Sequence, residues 1–158
     1  MGVAGCGKTT VAKLFAQKSG ATFYEGDDFH PPENIAKMRA GIPLTDADRE
    51  SWLRALSEII VRSLAANELT AITCSALKSK YRKQLQNGDP RVRFVHLTGP
   101  CDLIEARLKK RSGHFMPPAL LASQFAILEP PAEAWTFSVE KSPGEIAKEL
   151  IQALGIAR

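Results

Sequence analysis

The sequence predicts a three-layer α/β fold, in which helices cover both faces of a parallel sheet. Short apolar segments at residues 21–26, 70–76 and 93–98 alternate with segments whose apolar residues recur at helical spacing. This alternation is typical of parallel sheets, because each crossover connection lays a helix on a face of the sheet. A chain of 158 residues is long enough to bury an apolar core. We therefore predict a single domain over residues 1–158.

Local signals predict the helices in order. Gly20 is placed to end a first helix over residues 7–20, and a second helix opens at Pro31 and Pro32 and closes at Gly41. Thr45 with Asp48 three residues later resembles a helix N-cap, and this helix continues to about residue 66. Further helices are predicted at residues 79–86, 102–111, 119–128 and 143–154, and a last strand at residues 135–139.

Composition excludes several classes of protein. Hydrophobic residues make up 44% of the chain and charged residues 24%, a balance typical of folded globular proteins. No apolar run approaches the roughly 20 residues that span a bilayer, and the N-terminus lacks the layout of a secretory signal. We expect a cytoplasmic protein that does not bind membranes. Cys74 and Cys101 show no metal-ligand spacing and are expected to be free thiols.

Positive charge is concentrated between residues 78 and 111, where ten basic and three acidic residues give a net charge of +7. The rest of the chain is net −3, within a total of +4. Such a field suits an anionic ligand, whether a nucleotide, a sugar acid or a nucleic acid. Charge runs are as often solvated helix faces, so the charge does not decide between these.

The strongest motif lies at residues 2–9, which read Gly-Val-Ala-Gly-Cys-Gly-Lys-Thr. They match the phosphate-binding loop G-x-x-x-x-G-K-[ST] at every fixed position. The glycines turn backbone N–H groups inward around phosphate oxygens, and the helix that begins near Gly7 directs its positive end at the same anion. Lys8 is predicted to contact the β- and γ-phosphates, and Thr9 to offer its hydroxyl to Mg²⁺.

The predicted nucleotide-binding residues of this loop are Gly5, Cys6, Gly7, Lys8, Thr9 and Thr10. The Cys6 thiol is either sensitive to oxidation at the helix terminus or, as we favour, a small filler. A phosphate loop should follow a buried strand, and residues 1–3 resemble only the tail of one. We therefore expect a truncated first strand, a sheet without its central strand and reduced stability.

Several blocks of unusual composition follow the loop. They read Glu-Gly-Asp-Asp-Phe-His-Pro at 25–31, Gly-Ile-Pro-Leu at 41–44, Asp-Ala-Asp-Arg at 46–49, Cys-Ser-Ala-Leu-Lys at 74–78 and Arg-Ser-Gly-His-Phe at 111–115. Shorter ones are Asn34, Lys37-Met38, Trp52-Leu53, Tyr81-Arg82 and Ser123-Gln124-Phe125. In this order they resemble the gluconate kinase (gluconokinase) family, from residue 1 to about 130 and more weakly beyond.

The resemblance implies a P-loop NTPase fold like that of shikimate and nucleoside monophosphate kinases, with a five-stranded parallel sheet. It implies ATP and Mg²⁺ as cofactors, D-gluconate as the acceptor and 6-phosphogluconate as the product. It also implies a homodimer.

Asp27 is the predicted catalytic acid–base residue. It falls at the end of the second strand, and α/β sheets bind ligands at the carboxyl ends of their strands. There it would accept a hydrogen bond from the 6-hydroxyl of gluconate and act as general base, unless it is a capping or turn aspartate, the role we expect of Asp28. Similar kinases carry an acidic residue two positions earlier, which implies that Glu25 lies near Mg²⁺ or its waters.

An acceptor-binding region is predicted over about residues 28–66. We expect His30 to hydrogen-bond a gluconate hydroxyl or carboxylate, with a helix cap as the alternative. Arg49 lies in the first turn of a helix, where the dipole disfavours a cation, so we expect a ligand carboxylate or Asp46 to hold it. Lys78 follows a strand end and is predicted to face the same carboxylate.

A lid is predicted at about residues 111–118, in a Gly- and Pro-containing segment resembling the lids of small-molecule kinases. On closure Arg111 would reach the transferring phosphate, and water would be excluded. Arg107, four residues earlier on the same helix face, would stack near the adenine, and His114 would help the lid meet gluconate. The alternative for both arginines is a solvated helix face.

Three other functions are considered. Shikimate or another small molecule is the nearest alternative acceptor, since such kinases share the loop and the lid. Nucleic-acid binding is not expected, because the basic stretch lacks interleaved aromatics and a recognised motif. A nucleotide-binding protein that no longer catalyses would follow if the first strand is needed for activity.

Overall fold

A computed structural model of the protein describes residues 1–110 and 119–156. The helices are α1 (Lys8–Ser19), α2 (Pro32–Arg39), α3 (Asp46–Ala65), α4 (Ser79–Gln86), α5 (Cys101–Lys109), α6 (Ala119–Ile127) and α7 (Pro143–Ala153). The strands are β1 (Thr22–Tyr24), β2 (Thr70–Ile72), β3 (Val95–Thr98) and β4 (Trp135–Ser138), and a short 3-10 helix covers Gly26–Phe29.

This order of elements confirms the predicted α/β class. Each predicted helix is present with bounds within a few residues of those expected, whereas the 3-10 helix was not predicted. Within the described ranges, no helix combines the length and apolar character needed to cross a membrane. The predicted lid at about residues 111–118 lies outside the described residues.

The strands form two parallel pairs, β1 with β2 and β3 with β4. Between the pairs, the N–H of Leu97 donates to the carbonyl of Met1 at 3.0 Å, and the N–H of Gly2 donates to the carbonyl of Ser75 at 3.1 Å. A cavity of about 500 Å³ also lies there, with Ile72 and Val95 on its walls. In the described part of the chain, residues 1–3 therefore bridge two strand pairs instead of completing the five-stranded sheet that the resemblance implies.

Among the described residues, two apolar clusters make up the core. One packs α1, α5 and α7 around β3 and includes Phe15, Leu97, Ile104 and Ile146. The other packs α3 against α4 and the segment after β2, and its largest member is Trp52, which is 1% exposed. Val3 and Cys6 of the phosphate loop belong to the first cluster, whereas Phe29, which follows β1, packs against the second. The two clusters therefore support different segments that carry predicted functional residues.

Helix ends follow the local signals. Thr45 and Asp48 form the predicted cap of α3: the Asp48 N–H donates to Thr45 Oγ1 at 3.2 Å, and the Thr45 N–H donates to Asp48 Oδ2 at 2.8 Å. α1 ends at Gly20, whose φ of 76° lies in the left-handed region that favours glycine. The cap formed by Thr45 and Asp48 sets where α3 presents its first turn, which carries Asp46 and Arg49.

Gly26 marks the closest approach between the two segments that follow β1 and β2. Its N–H donates to Thr73 Oγ1 at 2.9 Å, and its carbonyl accepts from Trp52 Nε1 at 2.7 Å. A Cβ at this position would lie 1.8 Å from the Thr73 carbonyl oxygen, so only glycine fits. The acidic residues on either side of Gly26 are therefore fixed by backbone contact with the core.

Replacing Gly26 by alanine should destabilise the protein by about 2 kcal/mol or more, because the added methyl must displace backbone rather than a flexible side chain. Gly144→Ala is the matched control: it lies in α7, and a Cβ there meets no atom within 4 Å. This second change should stabilise by up to about 1 kcal/mol. Urea unfolding of both variants tests the prediction, and equal midpoints would contradict it.

Candidate active site

A cavity of about 250 Å³ opens at the carboxyl ends of β1 and β2 and at the start of α1. It brings together three groups of side chains: the phosphate loop, the turn after β1, and the first turn of α3 with the segment after β2. The residues on its walls that carry predicted roles are Gly5, Gly7, Lys8, Thr9, Glu25, Asp27, His30, Arg49 and Lys78.

The phosphate loop has the backbone that its glycines predict. Gly5 and Gly7 adopt φ values of 80° and 96°, which side chains disfavour. Gly7 is the N-cap of α1 and offers no side-chain acceptor, so the helix begins without a side-chain cap where Gly7, Lys8 and Thr9 line the cavity. Lys8 Nζ donates to the carbonyls of Gly2 and Val3, at 3.0 Å each, and so stays at the mouth of its own loop.

The remaining loop residues differ in placement. Thr9 lines the cavity, as a ligand for Mg²⁺ would require, whereas Thr10 is exposed and is not among the lining residues. Cys6 is 1% exposed, and its side chain packs into the core with Val3. Its side chain therefore acts as the small filler that we favoured.

Gln124 contacts the loop in a way that was not predicted. Its side-chain oxygen accepts a hydrogen bond of 2.6 Å from the N–H of Ala4, so α6 is held against the phosphate loop. A carbonyl oxygen on a loop amide has the same polarity as a phosphate oxygen. The only sequence signal was the short block at residues 123–125, which carried no role.

The turn after β1 presents two carboxylates. The Thr73 hydroxyl donates to Glu25 and at the same time accepts from the Gly26 N–H, so Glu25 is tied to the segment after β2. Asp27 lies in the 3-10 helix instead of on the strand itself, and both carboxylates line the cavity. Asp28 is exposed and does not line the cavity, which agrees with the role of turn residue.

His30 is 8% exposed and stacks on Trp52, with ring centroids 4.2 Å apart and planes 14° apart. Asn34 Nδ2 lies 3.4 Å from its Nδ1. Burial, and secondarily the charge of Arg49, lower the pKa of His30 to about 4. The imidazole is therefore neutral at physiological pH and offers hydrogen bonds without a charge. Trp52 is a core residue and, through this stacking, it also positions His30.

Arg49 is 9% exposed and is held by carbonyl oxygens rather than by an acid. Its Nη1 donates to the carbonyl of Leu44 at 2.7 Å and to that of Thr45 at 3.3 Å. Asp46, one of the two partners expected for Arg49, instead accepts hydrogen bonds from Lys78 Nζ at 2.8 Å and from the Tyr81 hydroxyl. Within residues 1–110 and 119–156, no carboxylate lies in ion-pair distance of Arg49.

Of the residues predicted for the lid side, Arg107 does not line this cavity, and the others lie outside the described ranges. Arg107 donates from Nη2 to the carbonyl of Val139 at 2.8 Å, beside the carboxyl end of β4. Its predicted contact with adenine stays a prediction. Arg111 and His114 lie outside the described residues.

The cavity therefore contains three groups. The first is the phosphate loop with the ammonium of Lys8, the second is the pair of carboxylates of Glu25 and Asp27, and the third is the two cations Arg49 and Lys78 with the neutral imidazole of His30. The first group is suited to a phosphate chain, and the last is suited to a hydroxylated carboxylate. A carboxylate beside both can accept a proton from a hydroxyl that attacks phosphorus.

Comparison with known proteins agrees with this chemistry. A sequence model of the shikimate kinase family matches residues 4–129. A probable gluconokinase of Rattus norvegicus is 45% identical over 175 aligned residues, covering 98% of this chain and 95% of the relative.

Solved structures are similar as well. A sugar kinase of a Janibacter species has a TM-score of 0.91 and 48% identity, and the match covers 99% of this chain and 92% of that one. A gluconokinase of Sinorhizobium meliloti has a TM-score of 0.85 and 42% identity, with 98% and 89% covered.

The lowered pKa of His30 can be measured by following histidine ring protons by NMR, with His30→Gln to assign the signal. We expect a midpoint near 4. Between that value and about 6.5 the unfolded chain takes up a proton that the folded protein does not, so this histidine should reduce stability as pH falls through the window. A midpoint near 6.5 would show that the ring is solvated.

Proposed function

The chain belongs to the gluconokinases, within the shikimate-kinase-like family, and we propose that it transfers the γ-phosphate of ATP to the 6-hydroxyl of D-gluconate. The products are ADP and 6-phospho-D-gluconate. The observation that carries the proposal is the shared cavity, where the phosphate loop, the carboxylate of Asp27 and the cations Arg49 and Lys78 all reach the same space.

The phosphate loop is the proposed nucleotide site. Backbone N–H groups from Gly5 to Thr10 surround the β- and γ-phosphates, and the Lys8 ammonium moves from the carbonyls of Gly2 and Val3 to phosphate oxygens. Because the ammonium exchanges one set of oxygen acceptors for another, the free-energy cost of this movement is small. The Ala4 N–H is released in the same event if Gln124 gives way to a phosphate oxygen.

Mg²⁺ is proposed to enter with the nucleotide. The described residues contain no group of three or more His, Cys, Asp or Glu side chains that would hold a metal ion alone. Mg²⁺ commonly takes one or two protein ligands and completes its shell with phosphates and water, so Thr9 and a water held by Glu25 fit it. When bound, the ion neutralises charge that develops on the phosphates.

Asp27 is the proposed general base. The 6-hydroxyl oxygen forms a bond to the γ-phosphorus while the bond to the β–γ bridging oxygen breaks, and the hydroxyl proton passes to the Asp27 carboxylate. The short 3-10 helix supports this role because Gly26 fixes its first turn against Thr73 and Trp52. A base held by the core is already oriented when the substrate arrives.

The opposite end of gluconate is proposed to bind Arg49, Lys78 and His30. Arg49 is a buried cation that the described residues leave without an acid partner, and a ligand carboxylate would supply one. His30 is neutral at physiological pH and therefore suits a hydroxyl better than the carboxylate. Shikimate also carries a carboxylate, so these cations alone do not distinguish the two acceptors.

The wider organisation is proposed on the family relationship. One domain over residues 1–158 contains the acceptor-binding region of about residues 28–66 and a lid at about 111–118. Closure brings Arg111 to the transferring phosphate and His114 toward gluconate, while Arg107 lies near the adenine. We further propose a cytoplasmic homodimer.

Purified protein should release ADP with Mg·ATP and gluconate, and far less with shikimate. Lys8→Ala should lower the rate by about 100-fold or more, because it removes a charge from the transferred phosphate. Lys18→Ala is the matched control, since Lys18 is exposed ten residues further along α1. Phosphorylation of shikimate in preference to gluconate would refute the proposed acceptor, and full activity of Lys8→Ala would refute the nucleotide site.

Asp27→Asn should reduce kcat by about 10²- to 10⁴-fold while ATP binding is retained, because the amide cannot take up the hydroxyl proton. Asp28→Asn changes the neighbouring carboxylate, which is exposed and outside the cavity, and should leave kcat within about twofold of the wild type. Steady-state kinetics and ATP titration distinguish the two. Equal losses in both variants would mean that the turn, and not the base, was disturbed.

A further inference from the structure

Asp46 lies at the centre of a charged cluster on the cavity wall. Its carboxylate accepts hydrogen bonds from Lys78 Nζ at 2.8 Å, Lys80 Nζ at 2.5 Å and the Tyr81 hydroxyl. Tyr81 is 3% exposed, and the cationic groups of Arg49, Lys78 and Lys80 lie 5.7, 5.8 and 5.8 Å from the centroid of its ring. One carboxylate and one phenol thus organise three cations.

The cluster leaves Arg49 with a defined open edge. Its side chain makes three hydrogen bonds to described residues, to the carbonyls of Leu44 and Thr45 and to the Tyr81 oxygen at 3.5 Å, and all three use Nη1. A guanidinium group has five N–H donors in one plane, so the edge formed by Nε and Nη2 remains for a planar carboxylate. The Tyr81 hydroxyl accepts a hydrogen bond from Nη1 and so helps to fix the direction of that edge.

Lys78 is constrained in a comparable way. It lines the cavity with a side chain that is 25% exposed, and Asp46 takes one of its three N–H donors. A lysine side chain has four rotatable bonds and needs such a partner to hold one position. Three cations and one carboxylate leave the cluster with a net charge of +2, so an incoming carboxylate is still attracted.

We infer that Asp46 and Tyr81 are positioning residues, which set the spacing and direction of Lys78 and Arg49 for the carboxylate of the acceptor. This inference rests on the proposed function, because it assigns to the same site the residues that hold its cations in place. Neither residue needs to contact gluconate.

The protonation states of the two residues support this arrangement. Hydrogen bonds from Lys78, Lys80 and Tyr81 hold the pKa of Asp46 well below its ordinary value, so the carboxylate is charged at physiological pH. Burial and the hydrogen bond to Asp46 raise the pKa of Tyr81, so its hydroxyl keeps the proton that it donates. Asp46 therefore acts only as an acceptor in this network, and the Tyr81 hydroxyl donates to it.

Asp46→Asn removes the negative charge that pairs with Lys78 and Lys80, and Tyr81→Phe removes the hydroxyl that bonds Asp46 and Arg49. Both changes keep the approximate shape of the side chain. We expect KM for gluconate to rise about tenfold in Asp46→Asn and about threefold or more in Tyr81→Phe, while kcat and KM for ATP stay within about twofold. Asp46→Glu retains the charge and should recover part of the loss. Melting temperatures of all variants show whether each is folded.

Glu50→Gln is the matched control, since Glu50 lies one turn further along α3, is exposed and pairs with Arg54, yet does not line the cavity. It should leave both the melting temperature and KM for gluconate close to those of the wild type. An unchanged KM in both Asp46→Asn and Tyr81→Phe would overturn the inference, and so would losses in kcat and ATP binding that follow the melting temperature. If the wild type fails to phosphorylate gluconate at all, the proposed function fails instead.

Discussion

The contact between Gly26 and the segment after β2 is the constraint on which the acceptor side of the site depends. The Gly26 backbone has no room for a side chain beside the Thr73 carbonyl, and both of its polar groups are hydrogen-bonded, one to Thr73 and one to Trp52. Thr73 also holds Glu25, and Trp52 also stacks on His30. The carboxylates and the imidazole are therefore positioned by a single packed junction, which limits the reorganisation needed when substrate binds.

The positive charges of the site lie in two places, one at the phosphate loop and one on the wall formed by α3 and the segment after β2. The His30 imidazole is neutral because burial and Arg49 disfavour its protonation, so it does not add a third cation beside Arg49 and Lys78. Arg49 and Lys78 supply the positive charge from α3 and from the segment after β2, and Lys8 supplies it from the phosphate loop. Two anionic groups can then bind one cavity without competing for the same cation, which a transfer between a nucleotide and a sugar acid requires.

Local signals in the sequence predicted the elements and the residues whose roles are set by a motif. The capping pair Thr45 and Asp48 and the terminal Gly20 fixed helix ends, because caps act within four residues of each other. Arg49 was expected to be held by a ligand carboxylate or by Asp46. Carbonyl oxygens and Tyr81 hold it instead of Asp46, and the ligand carboxylate stays a prediction. Contacts between residues far apart in the chain, such as Asp46 with Tyr81 or Ala4 with Gln124, leave no periodic signal and could not be predicted.

The phosphate loop connects the two halves of the fold as well as binding the nucleotide. Gly2 donates to Ser75 on the side of β2, while Met1 accepts from Leu97 on β3, so the first residues touch both strand pairs. A Cβ on Gly2 would lie 2.6 Å from the Leu97 carbonyl oxygen, which shows how closely the chain passes between them. Asp27 and Lys78 follow strands of one pair, whereas Gly5 packs on α5 beside the other. The distance between Asp27, the proposed base, and the phosphate loop is therefore set by the backbone of residues 1–5, and a change that loosens this passage would move them apart.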